Sequence, residues 1–264
     1  MTAFSLAELM VCAGAEAFRH DGEVLATGIG VLPRLAASLA MTTCNPDLMM
    51  TDSEAWVLST PNPVSGRKVG DAHAQETWMG FSRIFDNVWS GRRHAMVGPS
   101  QVDRFGQANI SALGDDYHRP KVQMLGVRGF PGNSISHANS FFIPSHNRRV
   151  FVEGECDVVA SIGYNPARLP RGYALGDIDI RVAITNLCVM DWRGEGFTPR
   201  VISLHPGVSK EEVCDNTGFA LTFADTLVTT ALPTAEQLSI LQTLDPRNVR
   251  ATQLPDNPPG VRTP

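Results

Sequence analysis

A chain of 264 residues with 43% apolar and 19% charged residues can bury a sizeable core without disulfides or metals. Its formal net charge of −5 excludes the basic surface of a nucleic-acid binder. It leaves room for a small anionic ligand, because local basic pairs stand at Arg92-Arg93 and Arg148-Arg149.

The first elements follow a strand–helix alternation. Ser5-Leu6-Ala7-Glu8 reads as a capping box, with Leu6, Leu9, Met10, Ala13 and Ala17 at helical spacing behind it. Asp21-Gly22 stops that helix, and residues 23–27 read as a short strand running into Gly28-Ile29-Gly30. Pro33 suits the first turn of a second helix that reaches about Met41. Residues 48–51 read as a buried strand ending in Asp52-Ser53-Glu54. From 59 to 77 the pattern dissolves into Pro, Gly and Ser, so a long loop is expected. A helix over 81–89 follows, with Phe81, Ile84, Phe85 and Val88 on its apolar face.

Strands are then expected at 95–97, 123–127, 150–152, 180–185, 188–191, 201–204 and 220–223. Ser209 with Glu212, and Thr234 with Gln237, open two further helices. The Pro-rich end, 254–264, is expected to be loose. The fold class is α/β: an open, largely parallel sheet flanked by helices, in one domain over 1–253.

Cysteines 12, 44, 156, 188 and 214 are scattered and form no C-x-x-C pair, the pattern of free thiols in a reducing compartment. Glu8 and Glu16 argue against a signal peptide, and no run approaches the roughly 18 apolar residues of a membrane span. The expected location is the cytoplasm, with neither membrane nor nucleic acid as a partner. The seven histidines lack H-x-x-x-H and H-E-x-x-H spacing, so no metal site is expected, and there is no G-x-S-x-G nucleophile elbow. His205, before Pro206, reads as structural, and Trp56, Trp78, Trp89 and Trp192 as core or interface residues.

Three segments are candidates for chemistry. Gly28-Ile29-Gly30 invites a dinucleotide reading, but Pro33 stands where that motif has its third glycine. Two glycines at a strand-to-helix turn still let a ligand approach the backbone, and a helix N-terminus offers N–H groups to an anion or oxyanion. The alternative is a tight turn with no ligand. Glu54 stands past the carboxyl end of an expected strand, where open α/β sheets bind ligands; the alternative is a solvated loop glutamate. Residues 126–133 (Gly-Val-Arg-Gly-Phe-Pro-Gly-Asn) form a second Gly-rich turn, which would either point N–H donors at a thioester oxygen or be only a loop.

Taken together, Gly28-Ile29-Gly30 with Leu32-Pro33, Ser53-Glu54, residues 98–103 (Gly-Pro-Ser-Gln-Val-Asp) with Gly106 and Asn109, and Leu204-His205-Pro206-Gly207-Val208 resemble the beta subunits of class I CoA-transferases, the glutaconate type in particular. That resemblance places Glu54 on the nucleophilic glutamate of a Ser-Glu-Asn-Gly motif, although Ala55-Trp56 replace Asn-Gly here. Residues 78–114, 126–163 and 232–250 are similar to the beta subunit of the steroid-ring-opening hydrolase of bacterial cholesterol catabolism. Gly91-Arg92-Arg93-His94, Gln101-Val102-Asp103-Arg104 and Gly126-Val127-Arg128-Gly129 carry that likeness. The resemblance implies a CoA-transferase fold that uses water to cleave a carbon–carbon bond in a cyclic 3-oxoacyl-CoA.

It also implies an alpha-subunit partner bearing the principal glutamate, a heterotetramer (α2β2), and coenzyme A as part of the substrate with no separate cofactor. The site set it suggests is Glu54 for catalysis, with Gly28, Gly30, Arg128, Gly129, Gly132 and Asn133 binding CoA or an oxyanion. A bulky Trp56 beside Glu54 would desolvate its carboxylate, as a general base for water needs. Other readings are a CoA-transferase beta chain acting through Glu54, a non-catalytic scaffold that completes its partner's CoA pocket, and a phosphosugar binder of the same broad fold.

Overall fold

The computed structural model describes residues 3–52, 54–66 and 74–254. Where one domain over 1–253 is expected, the chain gathers into two compact units. One holds the residues up to Val97 together with those from Ala231 onward; the other is Gly98–Thr230. The end of the expected tail, from 255, and Ser53 lie outside the described residues.

The first unit begins with α1 (Leu6–Glu16), whose Ser5 and Glu8 form the expected reciprocal cap. Its buried face, Leu6, Leu9, Met10 and Val11 among others, packs on α2 (Val31–Thr42). Between them β1 (Leu25–Gly28) pairs in parallel with β4 (Arg93–Val97), from Leu25 opposite Arg93 to Gly28 opposite Met96. The strand expected at 48–51 is reduced to two isolated bridges, Leu25 with Met49 and Thr51 with Val57.

An antiparallel ribbon of β2 (Trp56–Leu58) and β3 (Gln75–Trp78) enters the region expected to be loop. Periodicity misses β3 because all four of its residues are exposed, so no apolar alternation marks it. The expected helix is α3 (Gly80–Trp89), but only Gly80 and Val88 of it are buried.

The second unit opens with two short ribbons, β5 (Gln101–Val102) with β6 (Ala108–Asn109) and β7 (Ala112–Leu113) with β8 (Val122–Gln123). The expected strand at 123–127 therefore shrinks to β8, and the one at 150–152 to a single bridge between Val102 and Phe151. After α4 (Phe130–Ser136) comes β9 (Ala138–Ile143), a strand not expected from the sequence. All six residues of β9 are buried, so its Asn139 and Ser140 break the apolar run that would announce a doubly covered strand.

β10 (Ile180–Thr185) lies parallel to β9, and β11 (Cys188–Asp191) antiparallel to β10. β12 (Arg200–Leu204) is antiparallel to β11, and β13 (Thr222–Thr229) parallel to β12. The last is longer than the expected 220–223. Phe141 and Trp192 meet edge to face at 5.8 Å in the core of this unit. Ser209 caps α5 (Lys210–Asp215). The chain then returns to the first unit with α6 (Ala235–Leu244), capped by Thr234 and Gln237 as expected.

The first unit is locked by an ion cluster that sequence spacing does not reveal. Arg250, 4% exposed, reaches Glu8 at 2.8 Å and Asp245 at 3.2 Å. In the described strand pairs the sheet is mixed and mostly parallel, with helices against it, which bears out the α/β expectation.

Candidate active site

Residues 24–26 and Met49 hydrogen-bond in parallel: Met49 N–H donates to Val24 O and Ala26 N–H to Met49 O, both at 2.9 Å. The two segments therefore end on the same side, one at Gly28–Gly30 and the other at Asp52–Glu54. The Arg34 guanidinium, in the first turn of α2, reaches Thr51 O at 3.5 Å across this end. The resemblance grouped Gly28, Gly30 and Glu54 in one site set, and the first unit carries the segments that bear them to one edge.

The two glycines serve different ends. A Cβ on Gly28 would come within 2.4 Å of Arg34 N, so only glycine lets α2 start so close to β1. Gly30 sits at φ 110°, ψ 170°, a region essentially reserved for glycine, while its Cβ position is open but for the Pro33 ring. It caps α2 without a side chain, and no acidic residue occupies the first turn. Val31 and Leu32 N–H groups precede the first intrahelical bond, Arg34 N–H to Gly30 O at 3.1 Å. This end of α2 can receive negative charge.

Glu54 lies exposed on a turn held from several sides. Asp52 Oδ1 accepts the N–H groups of Glu54 at 2.8 Å and Trp56 at 3.0 Å, and Asp52 N–H donates to Trp56 O at 3.0 Å. The Trp78 indole N–H donates to Glu54 O at 3.1 Å, and Met79 N–H to Ala55 O at 2.9 Å. Between these bonds Ala55 is forced to φ 64°, left-handed backbone where a non-glycine residue is strained. The asparagine of the transferase motif tolerates that conformation better than alanine does.

Trp56 is half-buried in the ribbon opposite Trp78, and Glu54 remains exposed. The expected shielding of Glu54 by Trp56 is thus not supplied by this chain. Asp52 and Trp78 are residues that sequence reasoning missed. The only signal for Asp52 was its place two residues before Glu54, the spacing of a side-chain-to-backbone turn.

In the second unit Gly126 (φ 80°) and Arg128 (φ 51°) turn the chain into α4, which Gly129 caps. Phe130 N–H bonds Val127 O, Asn133 N–H bonds Gly129 O, and Asn133 O accepts from Asn139 Nδ2 at 3.1 Å. Arg128 and Gly129 are exposed, and Gly132 and Asn133 half-buried. The loop is open around Gly126 and Gly129, where a Cβ would meet nothing within 4 Å.

Other motif residues build the frame. Asp103 is buried and accepts N–H groups of Phe105, Gln107 and Cys156; burial pushes its carboxyl up, against those bonds. Gln101 Oε1 accepts from Asn109 Nδ2 and Asp157 N–H. His205 is structural as expected, bonded to Thr230 Oγ1 and Thr185 O. His146 bridges Thr185 and Thr217, and burial, then His205, lowers it to about 3. All five cysteines are free. Among the described residues no group of His, Cys, Asp and Glu is gathered that would hold a metal ion.

A mixed, mostly parallel sheet, a Gly-x-Gly turn feeding a helix, and a glutamate turn at the same edge define a subunit with the CoA-transferase fold. No family model matches the chain. It is 40% identical over 249 residues to the cholesterol ring-cleaving hydrolase IpdB subunit of Mycobacterium tuberculosis, spanning 94% of this chain and 98% of that one. It is 34% identical over 260 residues to the beta-type chain of the 3-oxoadipate CoA-transferase of Pseudomonas knackmussii, spanning 95% and 97%. The crystal structure of Rhodococcus jostii RHA1 IpdAB superposes with a TM-score of 0.85 at 37% identity, covering 95% of this chain and 98% of that one. The chain belongs to the family of CoA-transferase-type beta subunits that includes the ring-cleaving hydrolases.

Proposed function

We propose that this chain is the beta subunit of a heteromeric hydrolase that opens a ring of a steroid-derived cyclic 3-oxoacyl-CoA. It would act in the cytoplasm with an alpha-type companion subunit, as two copies of each. The observation that carries this reading is the 40% identity with a ring-cleaving hydrolase subunit along almost the whole chain. In the proposed reaction water adds to the 3-oxo carbon. The bond from that carbon to the thioester's α-carbon breaks, and its electron pair passes into the thioester as an enolate, which is then protonated. The product keeps its CoA thioester and gains a carboxylate.

In this reading the N–H groups at the start of α2 hold a developing oxyanion. Glu54, held at the same edge as Gly30, is assigned a supporting proton-transfer role, the principal glutamate being the companion's. The test is to co-express the chain with its companion and run a cyclic 3-oxoacyl-CoA in labelled water. Label is expected in the new carboxylate, with no dependence on an acceptor acid.

A second reading, CoA transfer between carboxylic acids through Glu54, draws on the 34% identity with the 3-oxoadipate CoA-transferase chain. It requires a glutamyl-CoA thioester at Glu54. Borohydride trapping during turnover would reduce Glu54 to an alcohol if that reading holds, and would leave it intact if the hydrolase reading holds.

A further inference from the structure

The segment Gln101–Arg104 does more than build the frame of the second unit. Asp103 bends the chain so that Arg104 and Phe105 stand on a tight turn. Its Oδ1 accepts the Phe105 N–H at 2.9 Å, and its carbonyl accepts the N–H of Gly106, which sits at φ 70°. The turn is also held from outside. The Trp192 indole N–H donates to Arg104 O at 3.1 Å, and Tyr164 N–H donates to Phe105 O at 2.7 Å. A Cβ on Gly163 would collide with Phe105 O, so the neighbouring chain closes on the turn with no side chain between. Arg104 itself is exposed and Phe105 half-buried. Rigid support under side chains that are not themselves core is how a binding group is presented.

What they are presented to is a cavity of about 620 Å³, formed entirely within the second unit. Small-ligand pockets span roughly 300–1,000 Å³. Phe197 and Phe219, both half-buried, line it with Phe105. Phe197 stands at φ 59°, left-handed backbone that is costly for a bulky residue. Its ring stacks on Tyr164, with centroids 4.6 Å apart and planes 11° from parallel. The Tyr164 hydroxyl in turn accepts the Ile180 N–H at 3.1 Å. Strain of this kind persists where the surroundings over-determine it, and it gathers at ligand clamps.

Charges of both signs line the same cavity. The Arg104 guanidinium lies over the Phe105 ring, 4.4 Å from its centroid, and makes no ion pair among the described residues. The Glu153 carboxylate is likewise without a partner among them. Glu155, the other acid of the lining, is engaged: Arg168 donates to it at 2.8 Å, Asn165 at 2.9 Å and Gln107 at 3.2 Å. It anchors the turn that carries Glu153. A free guanidinium fork matches a carboxylate, and a free carboxylate matches an ammonium. A purely anionic ligand would meet Glu153 as a like charge, and a purely cationic one would meet Arg104. The three aromatic rings ask for an apolar body.

We infer that this cavity binds a small zwitterion of the amino-acid class with a bulky apolar side chain. Its carboxylate meets Arg104, its ammonium meets Glu153, and its side chain lies among Phe105, Phe197 and Phe219. This site stands whether the hydrolase or the transferase reading holds.

The experiment measures binding rather than turnover. The full-length chain, purified in the assembly it forms, is titrated calorimetrically with three ligands that share one body: phenylalanine, 3-phenylpropanoate and 2-phenylethylamine. Phenylalanine is expected to bind with a Kd of about 1 mM or tighter. Each of the other two lacks one charge and should bind at least about 10-fold more weakly, the loss of one charge-assisted contact. Arg104→Ala should weaken phenylalanine about 10-fold and leave 2-phenylethylamine unchanged. Glu153→Gln should weaken phenylalanine and leave 3-phenylpropanoate unchanged or tighter. Both residues are exposed, so both variants should keep the wild-type melting temperature.

The wild-type ligand series decides the matter whatever the stability of either variant. Absence of phenylalanine binding at about 10 mM, ten times the expected Kd, would overturn the inference. So would 3-phenylpropanoate or 2-phenylethylamine binding as tightly as phenylalanine, because one of the two charges would then be idle. Phenylalanine binding unaltered in both variants would put the ligand at another site and overturn it as well.

Discussion

Asp52→Ala is expected to release the turn that carries Glu54. Two N–H groups, those of Glu54 and Trp56, converge on Asp52 Oδ1 at 2.8 and 3.0 Å, and Gln75 reaches Oδ2 at 3.3 Å. Hydrogen bonds to a charged acceptor contribute about 1.5–3 kcal/mol each when well buried. Half-exposure cuts that to about 1 kcal/mol each here. Against this stands Ala55 at φ 64°, a conformation costing about 1–2 kcal/mol. The two quantities nearly balance, so the turn has little margin once the carboxylate is gone.

A loss of about 2 kcal/mol in global stability would lower the melting temperature by roughly 4–8 °C for a chain of this size. A displaced Glu54 should lower kcat/KM by about 10- to 100-fold. Asp52→Asn keeps the acceptor oxygen without the charge and should recover about half of both losses. Steady-state kinetics on the reconstituted pair and thermal unfolding supply the readouts. Wild-type kcat/KM in Asp52→Ala would show that this turn is not part of the machinery. An Asp52→Asn variant as damaged as Asp52→Ala would show that charge, rather than the held geometry, matters.

Gly28→Ala should destabilise the first unit more than Gly30→Ala, because its Cβ would lie 2.4 Å from Arg34 N, whereas the Gly30 change costs only the backbone strain of about 1–3 kcal/mol; chemical denaturation of both variants checks the order. Gly30→Val should in addition abolish turnover of the complex by closing the approach to the α2 N-terminus, and normal kcat/KM would mean that the turn is only structural. Arg250→Ala should cost about 3–5 kcal/mol, since it strands Asp245 and Glu8 near a buried site, and a denaturant midpoint equal to wild type would refute this. His146 is held neutral by burial at about 3, below its unfolded value of about 6.5, so its contribution is complete above pH 6.5. As pH falls from there toward 3 the unfolded state takes up the proton first, and stability should drop by about 1.4 kcal/mol per pH unit; His146→Gln should flatten that part of the acid unfolding curve.

Local signals carried the frame of this protein. Ser5 with Glu8, Ser209 and Thr234 with Gln237 cap the helices that the sequence marks, because a cap is satisfied within four residues and needs no tertiary partner. The family was legible in the Gly28–Gly30 turn, Glu54 and the motifs around Gln101–Asp103 and His205; close approach and a positive φ require the two glycines, and buried hydrogen bonds engage Gln101, Asp103 and His205. What depends on both faces of an element was hidden. β9 is buried on every residue and β3 exposed on every residue, so neither shows the alternation that a half-buried strand displays.

The Phe81–Val88 pattern predicted a helix correctly but not its environment. An amphipathic stripe states which face avoids water, not what covers it, and here Val88 is buried while Phe81 and Phe85 are exposed. The holding of Glu54 by Trp78 likewise required the fold, because Trp78 is 24 residues away and only the pairing of β2 with β3 brings its indole to the Glu54 carbonyl.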